Sequence, residues 1–115
     1  PLVCITSYTV PIAKLADKYA DILLVGDSVG PVLYGYESTQ QVGSDLLINH
    51  AKAVVSCTKN SLVVVDMPYG TYEKDPEYAY YNAKKIIQLT GADAVKLEGG
   101  EKIFQIVKFL TKKKN

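Results

Sequence analysis

The chain has 115 residues, of which 48% are hydrophobic and 22% are charged, and this composition excludes a disordered chain and predicts one domain over residues 1–115. The net charge of +1 excludes a strong attraction to nucleic acid or membrane surfaces, and no segment is apolar for long enough to span a bilayer. Cys4 and Cys57 lack the spacing of a metal site and are too few for a disulfide framework, so we expect a cytoplasmic protein with Cys4 packed as a small hydrophobe.

The first half of the sequence predicts two strands, each followed by a helix. A strand is predicted at residues 2–6, and Pro11 then opens a helix at a first-turn position. The second strand, at residues 22–25, leads into an irregular stretch at 26–43, whose length is typical of a functional loop. A second helix is predicted at about residues 44–57. The apolar faces of these helices are predicted to contain Ile12, Leu15, Ala16 and Tyr19, and Leu47, Ala51, Val54 and Val55.

The second half repeats this alternation. Four apolar residues at 62–65 predict a strand buried on both faces, which ends at Asp66 because Pro68 cannot continue the ladder. Asp75 is a predicted helix N-cap, and Gly91 is the predicted C-terminal cap of the same helix. A fourth strand at residues 94–98 precedes a helix from about residue 100. That helix is predicted to bury Ile103, Phe104, Val107 and Leu110.

The alternation of strands and helices predicts an α/β fold of four βα units. The strands should be parallel and lie in the order 1-2-3-4, because no hairpin turn signals separate them. Four units are too few to close an eight-stranded barrel. They predict either an open sheet or half of a (β/α)8 barrel.

Three of these strands end in a carboxylate. Asp27 follows the second strand, and Asp66 and Glu98 end the third and fourth. The C-terminal ends of parallel strands meet at one edge of a sheet, so we expect these groups to converge. Lys96 should lie beside Glu98, because alternate residues of a strand share a face. Convergent carboxylate oxygens suit Mg²⁺, although such acids can also be helix caps and solvated loop residues.

Two further features of the sequence are weaker evidence for a functional site. The turn Gly26-Asp27-Ser28-Val29-Gly30 exposes backbone N–H groups to an anion, and Ser28 could donate a hydrogen bond to a carboxylate. The same pattern is often merely a turn. His50, the only histidine, lies in mid-helix, and we expect it to be structural.

Six segments, in order and with matching gaps, carry a resemblance over nearly the whole chain. They are residues 5–8 (Ile-Thr-Ser-Tyr), 13–17 (Ala-Lys-Leu-Ala-Asp), 24–30 (Leu-Val-Gly-Asp-Ser-Val-Gly), 35–39 (Gly-Tyr-Glu-Ser-Thr), 66–69 (Asp-Met-Pro-Tyr) and 91–100 (Gly-Ala-Asp-Ala-Val-Lys-Leu-Glu-Gly-Gly). Together they resemble the N-terminal half of the ketopantoate hydroxymethyltransferase family, also named 3-methyl-2-oxobutanoate hydroxymethyltransferase. The Gly-Asp-Ser and Lys-Leu-Glu-Gly-Gly motifs are the most specific.

The resemblance implies half of a TIM barrel of the phosphoenolpyruvate/pyruvate-binding type, from a cytoplasmic enzyme that usually forms a decamer. It implies transfer of a hydroxymethyl group from 5,10-methylenetetrahydrofolate to 3-methyl-2-oxobutanoate, giving 2-dehydropantoate in pantothenate biosynthesis. The implied Mg²⁺ ligands are Asp27, Asp66 and Glu98, and the implied contacts of the 2-oxo acid are Asp27, Ser28, Asp66 and Lys96.

The family's general base, a glutamate, lies in the half of the barrel that has no counterpart here. No catalytic base is therefore assigned in this chain, and we expect no turnover from it alone. Two open sheet edges would favour self-association, for example as a dimer of half-barrels.

Three alternatives remain open at this stage. The chain could be a non-catalytic half-barrel that binds only metal or oxo acid. A receiver-like signalling domain has a suitable length, but it needs an acidic pair where this chain has Thr6 and Ser7. The phosphoenolpyruvate mutase and isocitrate lyase group shares the barrel and the metal chemistry, but residues 96–100 favour the hydroxymethyltransferase.

Overall fold

A single four-stranded parallel sheet organises the chain, in the order β1-β2-β3-β4. The computed structural model describes residues 1–113, and the last two residues of the predicted domain lie outside the described residues. The register pairs Val25 with Val65 and Asp66 with Lys96. The strands are β1 (Cys4–Thr6), β2 (Ile22–Val25), β3 (Leu62–Asp66) and β4 (Ala94–Lys96). The predicted α/β fold and strand order are thereby confirmed.

Four helices alternate with the strands: α1 (Val10–Ala16), α2 (Ser44–Cys57), α3 (Pro76–Thr90) and α4 (Phe104–Lys112). The caps of α3 are those the sequence predicts. The Asp75 carboxylate accepts a 2.7 Å hydrogen bond from the Tyr78 N–H, and Gly91 ends the helix at φ +78°. Within residues 1–113, no helix has the length and apolar character needed to cross a membrane.

The core lies between the two central strands and the helices. Leu23, Val25, Val63 and Val65 point into it, whereas Leu62 is 56% exposed. The prediction that the third strand is buried on both faces is therefore wrong. The helices cover one face of the sheet, and no second layer formed by residues 1–113 buries the opposite face to the same degree. The helical part of the core consists of Ala13, Ala16, Leu47, Ile48, Ala51, Val54, Ala79, Ala83, Ile86, Ile103 and Ile106.

The outermost elements expose residues that the sequence predicts to be buried. Cys4 is exposed, because β1 is an edge strand. In α1 the small Ala13 and Ala16 face the core. Ile12 and Leu15 are 51% and 57% exposed. Tyr19, which follows the helix, is also exposed. In α4 Ile106 is buried, while Phe104 and Val107 are exposed. These predictions are wrong because an outer helix has a neighbouring helix on one side only.

The predicted irregular stretch at 26–43 contains two helical turns, Gly30–Tyr34 and Thr39–Gln41. Gly30 allows the loop to fold back closely. A Cβ atom at this position would lie 2.5 Å from the Val42 side chain and 2.7 Å from the Tyr36 ring. The close approach packs Tyr36 and Val42 directly against the backbone of Gly30.

The opposite end of the sheet is fixed by the buried carboxylate of Asp17. It accepts hydrogen bonds from the backbone N–H groups of Lys59 (2.8 Å), Asn60 (3.1 Å) and Ser61 (2.8 Å), directly before β3. The bond from Lys59, with those from Ser61 and Asn60, lowers the pKa of Asp17 to about 2 against the effect of burial. A charged cap therefore sets where β3 begins.

Candidate functional site

Asp66 is the centre of the site, at the C-terminal end of β3. Its carboxylate is buried, with 6% of the residue exposed, because the preceding apolar strand holds it in the sheet. The Asp27 N–H donates a 3.0 Å hydrogen bond to Asp66 Oδ2, and the Lys96 ammonium lies 3.0 Å from Asp66 Oδ1. The ends of β2, β3 and β4 are thus joined at one carboxylate.

Gly26 makes the close approach of β2 and β3 possible. A Cβ atom at this position would lie 3.1 Å from Asp66 Oδ2 and 3.4 Å from Ser28 Oγ. Both side-chain oxygens therefore border the same small space above the glycine. A side chain at residue 26 would occupy that space.

Glu98 is held through its backbone by the buried phenol of Tyr72. The Tyr72 OH donates a 2.8 Å hydrogen bond to the Glu98 carbonyl and accepts a 3.2 Å bond from the Glu98 N–H. β4 itself ends at Lys96, two residues earlier than predicted. Tyr72 thus fixes the backbone of Glu98, which lies beyond the last ladder hydrogen bonds of β4.

Asp27, Asp66, Lys96 and Glu98 line one cavity of about 320 Å³. Ser28 is not part of its wall, and its half-buried hydroxyl lies beside it, bonded to the Tyr8 phenol. Of the predicted site residues, four therefore share one cavity and the fifth lies next to it.

The charges of the cavity are strongly coupled. Burial, and then the carboxylates of Asp66 and Glu98, raise the pKa of Asp27. Burial alone would lower the pKa of Lys96, but the bond to Asp66 and the nearby carboxylates outweigh it and raise that pKa. The four carboxylates that line the cavity, Asp27, Asp66, Glu73 and Glu98, and its one ammonium leave an excess of three negative charges, which a divalent cation would reduce.

The cavity has the donor chemistry for Mg²⁺. Asp66 Oδ1 is buried and accepts no hydrogen bond of good geometry; its neighbour is the Lys96 ammonium. Among residues 1–113, no three His, Cys, Asp or Glu side chains stand close enough to hold a metal as they are. Mg²⁺ usually needs only one or two carboxylates, with water and substrate completing its shell. The prediction of a cation shared by Asp27, Asp66 and Glu98 stays a prediction.

A second buried polar atom lies at the same edge of the sheet. In the described part of the chain, Ser7 Oγ is buried without a hydrogen-bond partner, and Asp66 Oδ1, the other buried atom without a hydrogen bond of good geometry, is paired with the Lys96 ammonium. Ser7 directly follows β1, so both atoms lie at strand ends. Buried polar groups are normally paired, and unpaired ones in a native structure often mark where a water, ion or ligand binds.

Comparison with known proteins gives the family of the chain. The profile of the family described as ketopantoate hydroxymethyltransferase matches residues 1–114. The chain belongs to this family.

Named relatives agree with this assignment. The chain is 53% identical over 113 residues to the 3-methyl-2-oxobutanoate hydroxymethyltransferase of Rhizobium etli, and 50% identical over 113 residues to that of Brucella canis. Both matches cover 98% of this chain but 41% of the relative. A Chelativorans relative of the same name is 51% identical over 111 residues. The chain therefore corresponds to the N-terminal part of these longer hydroxymethyltransferases, and the receiver-like alternative is excluded.

A solved structure supports the barrel assignment. The chain matches a phosphonopyruvate hydrolase in complex with oxalate and Mg²⁺, with a TM-score of 0.67 over 82% of this chain and 32% of the other. At 14% sequence identity the match concerns the fold alone. The four βα units of the chain thus have the fold of part of a (β/α)8 TIM barrel.

Three residues shape the site although no role in it was predicted for them. Tyr8 binds Ser28, Tyr72 holds Glu98, and His50 binds the backbone carbonyl of Tyr8. Tyr8 could have been found, because it lies just after β1, at the edge where the other strand ends carry the candidate groups. Tyr72 and His50 act through loops and a helix, and nothing in their sequence context indicates their partners.

Proposed function

We propose that this chain binds Mg²⁺ and 3-methyl-2-oxobutanoate at the strand ends, as part of a cytoplasmic enzyme of pantothenate biosynthesis. In the complete protein, the bound oxo acid receives a hydroxymethyl group from 5,10-methylenetetrahydrofolate and becomes 2-dehydropantoate. One observation carries the proposal: the buried Asp66 carboxylate, bonded to the Asp27 N–H and the Lys96 ammonium, faces a cavity that Glu98 also lines. Membership of the family supports the choice of substrate.

Mg²⁺ would be held by Asp27, Asp66 and Glu98 and, when bound, would act as a Lewis acid on the 2-oxo group. The residues of the chain provide the remaining interactions. Lys96 carries a charge that can pair with the substrate carboxylate, because its side chain is 44% exposed to the cavity and to solvent. Ser28 adds a hydroxyl donor beside the cavity. Both would favour negative charge on the bound oxo acid.

Lys96 has to exchange partners when the ligands bind. Its ammonium now neutralises Asp66 Oδ1, the oxygen that a cation would need. With Asp66 Oδ1 occupied by the cation, the Lys96 ammonium would be free to pair with the incoming carboxylate. Cation and oxo acid should therefore bind cooperatively.

Calorimetric titration of the 115-residue chain tests this proposal, with Mg²⁺ first and 3-methyl-2-oxobutanoate second. Asp66→Asn should remove Mg²⁺ binding. Lys96→Met should weaken the oxo acid by about ten- to a hundredfold, since a charge-assisted hydrogen bond is lost, while it leaves Mg²⁺ equal or tighter. Lys85→Met, an exposed position on α3, is the matched control. An oxo-acid affinity that is unchanged from wild type in both site variants would refute the proposal.

We further propose that the isolated chain binds without turnover. The base that the family uses lies beyond the matched part, and loss of a positioned base costs about 10²–10⁴-fold in rate. An assay with 3-methyl-2-oxobutanoate, 5,10-methylenetetrahydrofolate and Mg²⁺ should detect no 2-dehydropantoate above the uncatalysed background. Turnover close to that of a complete relative, measured alongside, would show that the chain supplies its own base.

A further inference from the structure

Tyr8 and Ser28 form a pair of hydroxyl groups at the same edge of the sheet as Asp66. Tyr8 lies two residues after β1, and Ser28 lies three residues after β2. The Tyr8 OH and Ser28 Oγ are hydrogen-bonded to each other. The pair therefore connects the loops that leave the first two strands.

The pair has one hydroxyl proton available for a ligand. Each hydroxyl has one proton, and one of the two protons is used in the bond between them. The phenol is the more acidic hydroxyl, so it is the better donor, and Ser28 Oγ accepts. The Ser28 proton is then free for another acceptor. An anionic carboxylate is the strongest acceptor that such a site can receive.

His50 on α2 fixes the position of Tyr8 through the Tyr8 backbone carbonyl. The Tyr8 carbonyl lies 2.8 Å from His50 Nδ1, and because a carbonyl only accepts, Nδ1 carries the proton. In the neutral ring Nε2 must then accept, and the Tyr34 OH, at 2.7 Å, donates to it. One histidine thus holds Tyr8 and the helical turn Gly30–Tyr34 against the same helix.

Ser28 is well placed to reach a ligand in the cavity. Its Oγ and Asp66 Oδ2 border the same space above Gly26, at 3.4 Å and 3.1 Å from a Cβ position built there. Asp66 in turn lines the cavity. A hydroxyl at this point lies at the margin of the cavity, and a small rotation decides whether its proton is directed inward.

We propose that Tyr8 is a positioning residue for the carboxylate of the bound 2-oxo acid. Its phenol donates to Ser28 Oγ and so directs the Ser28 proton at that carboxylate, while His50 keeps Tyr8 in place. The inference rests on the proposed function, because the oxo acid is the ligand of that site. Tyr8 acts through Ser28 and need not touch the substrate.

A double-mutant cycle on the 115-residue chain tests this role, with the affinity for 3-methyl-2-oxobutanoate measured at saturating Mg²⁺. Tyr8→Phe removes only the hydroxyl and should weaken the oxo acid about three- to tenfold. The same change should have no further effect in a Ser28→Ala chain, because the group that Tyr8 orients is then absent. Ser28→Thr keeps a hydroxyl and should restore the dependence on Tyr8. Tyr81→Phe, at an exposed position of α3, is the control.

The outcomes separate this inference from the proposed function. Mg²⁺ affinity and the melting temperature should be equal in all variants, which a merely structural role of Tyr8 would not predict. If Ser28→Ala weakens the oxo acid but Tyr8→Phe does not, or if Tyr8→Phe costs as much without Ser28 as with it, the inference is overturned while the proposed function stands. If the wild-type chain does not bind the oxo acid at all, both are overturned.

Discussion

The side chains around Asp66 determine what that residue can do. A buried carboxylate is stable only with charged or N–H partners, and Asp66 has one of each, from Lys96 and Asp27. Lys96 ends β4 and Asp27 follows the end of β2, so the charge of Asp66 depends on the alignment of three strand ends. The bare backbone of Gly26 permits that alignment.

Gly26→Ala should therefore damage the site without unfolding the chain. The new Cβ would lie 3.1 Å from Asp66 Oδ2, so the carboxylate must shift by a few tenths of an ångström and its bond from the Asp27 N–H weakens. We expect the affinity for 3-methyl-2-oxobutanoate, measured by calorimetry, to fall roughly tenfold.

Gly43→Ala provides the comparison, because a Cβ atom there meets open space. This variant should retain the affinity for the oxo acid. Its free energy of unfolding should fall by only about 1 kcal/mol or less, because Gly43 is the N-cap of α2. Equal oxo-acid affinities of Gly26→Ala and wild type would contradict the close approach at this residue.

Some residues of the site could be predicted from the sequence, and others could not. Asp27, Asp66, Lys96 and Glu98 could be predicted because each lies at a strand end, and the ends of parallel strands meet. Tyr72 and His50 could not, since their partners are set by how a loop and a helix pack. A hydrogen bond between residues 26 or 42 positions apart, as in these two cases, has no local signal.

Among the secondary-structure elements, β3 has a candidate binding group at one end and a structural carboxylate at the other. Asp66 at the C-terminal end faces the cavity, and Asp17 holds the N-terminal end with three backbone N–H groups. The second carboxylate is structural, because its partners are all backbone donors next to the strand.

Asp17→Ala should destabilise the chain on the order of 2–3 kcal/mol in chemical denaturation at pH 7, because buried N–H groups lose a charged acceptor. The effect should depend on pH. The folded pKa of about 2 lies below the ordinary 3.8, so the contribution is complete above about pH 4 and is lost as the pH falls through 2. The two chains should thus approach each other in stability under acid.

Asp21→Ala is the matched control, since this exposed carboxylate accepts a single backbone bond, from the Val3 N–H at 2.8 Å. It should cost about 1 kcal/mol or less. A difference between wild type and Asp17→Ala that stays constant from pH 7 to pH 2 would contradict the assigned role.

The boundaries and caps of α2 and α3 follow from local signals, whereas the buried faces of α1 and α4 do not. Asp75, Pro76 and Gly91 mark the ends of α3 through their own backbone preferences. Which face of an outer helix is buried depends instead on its neighbours. The periodicity of α1 and α4 reveals apolar side chains but does not say whether the sheet or another surface covers them.

At the scale of the whole molecule, the sheet has two open edges. β1 and β4 each lack a neighbour on one side within residues 1–113, and exposed apolar side chains accompany both. Leu2, Val3, Ile12 and Leu15 belong to the first edge, and Phe104 and Val107 to the second. Apolar side chains beside unpaired strands are prone to pair with another surface.

We predict that the 115-residue chain self-associates through these edges. Two four-stranded half-barrels, joined head to tail at both edges, would bring eight strands together, the number of a TIM barrel. Sedimentation velocity should show a dimer that dissociates on dilution. Leu15→Lys and Phe104→Lys, at positions 57% and 59% exposed, should shift the chain to monomer.

Leu89→Lys tests whether edge position matters, because Leu89 is 48% exposed on α3, which packs between α2 and α4. It should leave the dimer intact. A wild-type chain that stays monomeric at all concentrations would refute the prediction, as would equal dissociation by all three lysine variants.

Backbone amide shifts would show where Mg²⁺ and the oxo acid bind, and the two ends of the same sheet provide an internal control. In an ¹⁵N-labelled chain titrated with Mg²⁺ and then 3-methyl-2-oxobutanoate, backbone amide shifts should change at Asp27, Ser28, Met67 and Glu98. The amides of Lys59 and Ser61, bonded to Asp17 at the opposite end, should stay unchanged. Shifts confined to that opposite end would contradict the proposed ligand site.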